Sequence, residues 1–381
     1  MYCNTVHDWK QYKAKYSGKF LESLHSDSSD TLYIDTRWVV LYSSEEQKIP
    51  LSRIQDCLRM LNIVYAKQNT VDLQKVPTSW SSVTGNPNIQ FLPLDPTKLT
   101  VEYIPISGNL DGDSPVSDAA SRGGRTNGVL NIYIGSSGKG SILGQAELNS
   151  NIVYALYSAV GGFDVKGTLP GYDLGKTVVH EVGHALGLVH TFSDNACDHF
   201  SPYDDVPEQI RPNYSTSLVQ LSNGSWEQRG DNRYNDRLNG SSLSCLSIQP
   251  DPDTAPNEMG INFMDYGDDN VSLVFSKNQV DIMRQYLQSS DNTTLTLKSA
   301  ADTSISAGGT ASSSGGSLTS SSSDSSSSSG LSTTWIILIV VFSVLILIVI
   351  AYFVYRHHSK RSSDVIRRSE AYLGAHGWQT R

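Results

Sequence analysis

The sequence predicts an α+β domain over residues 31–300, preceded by a polar segment (1–30) and followed by a stalk (301–334), one transmembrane helix (335–355) and a cytoplasmic tail (356–381). Three observations carry this. Short β-branched and aromatic runs alternate with an amphipathic helix and Gly/Pro/Asp turns through the first half. A histidine-rich helix closes that pattern, and the chain beyond it turns irregular. A tract of Ser, Gly, Thr and Ala then leads into an uncharged apolar run. At 381 residues there is room for one sizeable domain plus appendages.

Taken in order, residues 1–30 are Ser/Lys-rich and without periodicity. Leu32 to Tyr42 (LYIDTRWVVLY) has the composition of a strand. After Pro50, residues Leu51, Ile54, Leu58, Leu61 and Tyr65 recur at helical spacing and give one apolar stripe. Asn88 to Leu92, Leu99 to Ile104 and Val129 to Ile134 read as short strands. The glycines that follow (Gly135, Gly138, Gly140, Gly144) suit a mobile rim, and no phosphate-loop pattern is present. Thr177 to Leu188 is a helix with Val178, Val179, Val182, Ala185 and Leu186 available for the sheet. Thr191 to Gly260 breaks down into Asn, Asp, Ser, Gly and Pro. Phe275 to Leu287 reads as a closing helix, its start marked by a Ser276/Gln279 capping box.

The chemistry is concentrated in His180-Glu181-Val182-Gly183-His184-Ala185-Leu186-Gly187-Leu188-Val189-His190. His180 and His184 leave the same helical face and can meet one metal ion. Glu181, one step along, is turned off that face and is better placed to hold a water than to bind the metal. Gly187 stops the helix, because glycine accepts the left-handed conformation a sharp turn needs. The turned chain can bring His190 to the same ion. Three neutral imidazoles plus an open position is the coordination of a catalytic zinc; a structural zinc would be closed by four protein ligands. A lone H-E-x-x-H arises by chance in roughly one chain in a hundred of this length, and the fixed glycine and third histidine lower that by about two to three decades. The expected reaction is peptide hydrolysis, with Glu181 taking a proton from the attacking water and returning it to the leaving amine.

Charge and composition narrow the partners. The net charge of −9 argues against nucleic acid, which wants a basic face. Cys3, Cys57, Cys197 and Cys245 are too few for a disulfide scaffold and show no C-x-x-C spacing, leaving room for one or two bridges. The Ser304 to Thr334 tract cannot bury enough apolar surface to order itself, and as a coil spans about 30 Å. Trp335 to Tyr355, broken only by Ser343, is long enough to cross a bilayer. Arg356, Lys360 and Arg361 follow it, so by the positive-inside rule the tail is cytosolic and the domain faces outward, at the cell surface or in a lumen. Sequons at Asn213, Asn223, Asn239, Asn270 and Asn292 fit that side. Met1 to Phe20 has no apolar core of a signal peptide, so the chain is read as lacking its natural N-terminus. The rival is a tail-anchored protein with a cytosolic domain, which the charge bias opposes.

The extended histidine motif, with Val189-His190-Thr191-Phe192 and Asn262-Phe263-Met264-Asp265-Tyr266-Gly267-Asp268-Asp269 downstream, resembles the metzincin zinc peptidases and within them the pappalysin (cytophagalysin) family. The resemblance covers roughly Leu32 to Leu287. It implies a twisted mixed sheet with a backing helix, the zinc helix packed on it, an irregular lower half, and Met264 as apolar support beneath the metal. It also implies a role for Tyr266 in stabilising the oxyanion, with packing under the turn as the alternative. Metzincins pair an extended protein or peptide substrate with an edge strand, and Val129 to Gly135 is a candidate for that upper rim or, equally, an interior strand. Cys197 and Cys245 resemble a disulfide pair of the family. Asp194, Asp198, Asp204 and Asp205 fall where some relatives bind calcium, against the alternative of solvated carboxylates. Residues 1–30 resemble the end of a propeptide, with Cys3 as a latch on the zinc, against a free or Cys57-paired cysteine.

Two further readings compete. An inactive relative serving as a surface binding or adhesion module would have no need of Glu181. A gluzincin-type aminopeptidase would need a downstream glutamate ligand, which His190 makes unnecessary.

Overall fold

Eleven residues of β1 (Leu32–Tyr42) form the hub of the fold. The computed structural model describes residue 12 and residues 30–139, 142–192, 202–207, 209, 212–214, 216–229 and 258–300. The stalk, the apolar run at 335–355, the tail, Cys3, Cys197, Cys245, Asp194, Asp198 and Asn239 lie outside those residues. Among the described residues, no helix is long and apolar enough to cross a membrane.

β1 runs parallel to β2 (Ile89–Leu92) through its first residues and to β3 (Val101–Pro105) through its last. On the β1 segment Thr36 to Val40 it also pairs in parallel with β4 (Leu130–Gly135). β4 continues in parallel to β6 (Ile152–Leu156), and the short β5 (Gly144–Ala146) closes this side antiparallel to β6. β9 (Leu297–Lys298) returns antiparallel to the start of β1. The sheet is mixed, in the order β2-β1-β4-β6-β5 with β3 and β9 also on β1.

Both faces of this sheet are covered, which explains why Trp38 to Leu41 form an unbroken apolar run and not an alternating one. On one face Trp38, Val40, Ile132, Ile134 and Val153 pack with α1 (Leu51–Tyr65) and with α5 (Lys176–Ala185), the histidine helix. On the other, Val39, Leu41, Tyr133 and Tyr154 meet α4 (Pro115–Gly123) through Val116 and Ala119. Successive residues of β1 thus alternate between two cores. Short helices α2 (Thr70–Leu73) and α3 (Thr78–Ser81) link α1 to β2.

The expected α1, β1 and closing-helix positions agree with the structure. The last helix, α6 (Lys277–Gln288), carries the capping box, with Ser276 and Gln279 each accepting from the other's backbone N–H. One expectation is corrected. β4 is not a rim strand: it has a partner on each side and every residue is buried. Among the described residues the edge on the β6 side is β5, whose Gly-Gln-Ala sequence lacks the residues that mark strands.

Cys57 is a free, fully buried thiol inside α1, so the pairing of Cys57 with Cys3 is not formed. Burial pushes its pKa up to about 12, which leaves it protonated and inert.

Candidate metal centre

α5 places His180 and His184 one turn apart on a helix that is buried throughout. The helix ends at Ala185, and Gly187 takes φ +99°, the turn its sequence position foretells. His190 follows and joins the first two. The Nε2 of His184 stands 3.0 Å from that of His180 and 3.2 Å from that of His190.

Those distances decide what the site is for. His180 Nδ1 lies 2.6 Å from the Phe263 carbonyl, and His184 Nδ1 lies 2.7 Å from the Leu188 carbonyl. A carbonyl only accepts, so both Nδ1 atoms carry the hydrogen and both Nε2 atoms present lone pairs. Burial, with the nearby His190, pushes His180 down to about 3 and His184 well below its ordinary value, so both rings are neutral at pH 7. Lone pairs facing one another at 3.0 Å repel unless a cation lies between them. Tetrahedral ligands about 2.05 Å from zinc are about 3.3 Å apart, close to the spacing here. The residues fit a divalent zinc ion, and among the described residues this is the only such cluster.

Packing fixes each ring. Phe192 stacks on His190 with centroids 4.5 Å apart and planes 10° from parallel. Tyr203, fully buried, accepts from Val189 N–H at 2.9 Å and donates to the Val189 carbonyl at 2.6 Å, clamping the residue before the third histidine. Gly183 leaves room for Met264: a Cβ there would lie 2.6 Å from the Met264 sulfur. Met264 is thus packed directly against the helix between the two histidines, and its carbonyl accepts from Thr191 N–H.

Glu181 is wholly buried and faces β5. A Cβ on Gly144 would sit 2.4 Å from its carboxylate, so only glycine in the edge strand admits the side chain. The sequence alone suits Gly144 to a mobile rim; its close approach to Glu181 appears only in three dimensions. Tyr266 is 4% exposed, with its ring 4.9 Å from His190, 4.7 Å from Phe192 and 5.7 Å from His180.

Several supporting contacts join residues well apart in the sequence, and no local pattern signals those pairings. Asp265, buried, accepts from Asn213 N–H, Asn213 Nδ2 and Gln209 Nε2, each at 2.9 Å. Burial raises its pKa and those donors oppose the rise. Asn262 and Gln279 exchange two amide hydrogen bonds, tying the methionine turn to α6. Lys176, at the start of α5, is buried against Asp72 at 2.8 Å and donates to the Ser272 carbonyl at 2.8 Å. Burial pushes Asp269 up to about 7, although it accepts from Leu174 N–H at 2.6 Å. Of the carboxylates considered for calcium, Asp204 is exposed and Asp205 accepts from Asn278 N–H at the start of α6.

No family model matches the chain. An extracellular metalloprotease of Pyricularia oryzae is 29% identical over 159 residues, covering 39% of this chain and 45% of that relative. An extracellular metalloprotease of Arthroderma benhamiae is 36% identical over 84 residues, covering 21% and 28%. The chain thus spans less than half the length of either relative. The structure of mature mirolysin from Tannerella forsythia, solved with a cleaved peptide, superposes with a TM-score of 0.52 at 24% identity, over 69% of this chain and 95% of that one. That likeness is one of fold.

Proposed function

We propose that this chain is a zinc-dependent endopeptidase of the pappalysin-like metzincin type, cutting extracellular or surface proteins and held to a membrane by residues 335–355. The observation that carries it is the convergence of three imidazole Nε2 atoms, those of His180 and His184 fixed as lone-pair donors by backbone carbonyls on their Nδ1 atoms. The names of the relatives, extracellular metalloproteases, point the same way. The anchor rests on the uncharged apolar run and its basic flank.

His180, His184 and His190 would hold the ion. When bound, zinc supplies a Lewis acid that polarises the scissile carbonyl and acidifies a water. The protein supplies the rest. The Glu181 carboxylate, against Gly144 of β5, takes a proton from the attacking water and returns it to the leaving amine. Tyr266 lies beside His190, where its hydroxyl can donate to the oxyanion. The strand β5 ends the described sheet on the β6 side, next to the Glu181 carboxylate, and an extended substrate adds along that side.

The test is Glu181→Gln. Zinc content measured by elemental analysis should stay at the wild-type level, while cleavage of a denatured protein falls by about 100- to 10,000-fold. Wild-type cleavage should cease with a chelator and return with zinc. A Glu181→Gln protein that cleaves at the wild-type rate sinks the assignment.

A further inference from the structure

The sequons of this chain look equivalent in sequence, and the fold makes them unequal. Asn213 is wholly buried; its Nδ2 and backbone N–H both bind Asp265, beside the methionine turn. Asn292 commits Nδ2 to two carbonyls, Leu287 at 3.0 Å and Leu295 at 2.9 Å, across the end of α6. A sugar on either nitrogen would break those bonds, and on Asn213 it would also need space inside the core. Asn223 is the opposite case. It sits at the exposed tip of the hairpin β7 (Ser217–Gln220) to β8 (Trp226–Arg229). There Oδ1 accepts from Ser225 N–H at 3.0 Å and from Ser225 Oγ at 2.7 Å. Two donors on the amide oxygen withdraw electron density and make the Nδ2 hydrogens more acidic, with the sequon's own hydroxyl already engaged. At Asn270, by contrast, Ser272 Oγ donates away, to the Gly267 carbonyl at 3.3 Å.

We infer that Asn223 is an N-glycan acceptor and that Asn213 and Asn292 are closed to glycans in the folded protein. The inference rests on the outward placement proposed above. The transfer joins Nδ2 to the anomeric carbon of an oligosaccharide carried on a lipid diphosphate. It breaks the sugar–phosphate bond, releases the lipid diphosphate and gives up one Nδ2 proton. The hairpin has no third strand on either side among the described residues, so a bulky hydrated group at its tip also blocks edge-to-edge pairing.

The full chain, given a cleavable signal peptide and produced in glycosylating eukaryotic cells, is treated with peptide N-glycosidase in heavy-oxygen water. Peptide mass spectrometry then reads each site. Labelled aspartate at position 223, with unlabelled asparagine at 213 and 292, is the expected result. Asn223→Gln and Ser225→Ala should each remove one glycan step on a gel. An unmodified Asn223, or a glycan on Asn213 or Asn292 in the folded protein, overturns the inference. Because the signal peptide imposes the compartment and protein cleavage is assayed on the same preparation, failure here is separable from failure of the peptidase reading.

Discussion

The two halves of the metal centre are built by different means. His180 and His184 come from a helix laid on a sheet, held by backbone ladders and apolar packing. His190 and Met264 come from chain with little regular structure, held by individual side-chain hydrogen bonds: Tyr203 on Val189, Asp265 on Asn213 and Gln209, Asn262 on Gln279. Packing is distributed over many contacts, so its loss costs stability globally. A hydrogen-bonded clamp is local, and its loss should appear first in the metal and the activity.

Substitutions on the two sides can break this comparison. The largest effect on stability is expected from Trp38→Ala in the sheet core, where the ring is fully buried. It should cost about 3–5 kcal/mol by denaturant unfolding. A value below that of the clamp variants would contradict the division. Asp265→Ala leaves the Asn213 and Gln209 donors without their acceptor, an expected cost of about 1–3 kcal/mol. Zinc affinity and cleavage should fall more than for Trp38→Ala assayed well below its melting point.

Acid offers a third probe, applied to metal-free protein. His180 titrates near 3 in the fold against about 6.5 when unfolded. The unfolded chain therefore binds more protons between those values, and stability is lost as pH falls below about 6.5. The slope approaches about 1.4 kcal/mol per pH unit for each such histidine. His184, also lowered, should add to it. A flat profile from pH 6.5 to 5 would show that the rings are not buried and neutral. The smallest effect is expected from Tyr203→Phe, about 0.5–1.5 kcal/mol, with weaker zinc binding as its distinguishing mark. Unchanged zinc affinity there would reduce the clamp to ordinary packing.

The same division governs what could be read in advance. β1, α1 and α6 were legible because local composition, periodicity and a capping box act over a few residues. β5 was not, because Gly144 is there to admit Glu181, a neighbour distant in sequence. The interior place of β4 was equally hidden, since a buried strand and a rim strand have the same local composition. Asn213, Tyr203 and Gln209 are polar residues in an irregular stretch, and nothing local separates a solvated amide from one that clamps a buried carboxylate.

By itself the sequence determined the identities and spacing of the three histidines and Glu181, and the glycine that turns the chain between the second and third. Helical geometry converts spacing along the chain directly into direction, so a one-turn pair needs no wider context. The tertiary structure alone decided which atoms the rings present, which strand is the edge and what braces the third histidine. Those depend on carbonyls and side chains brought from far along the chain, where burial removes water as the alternative partner.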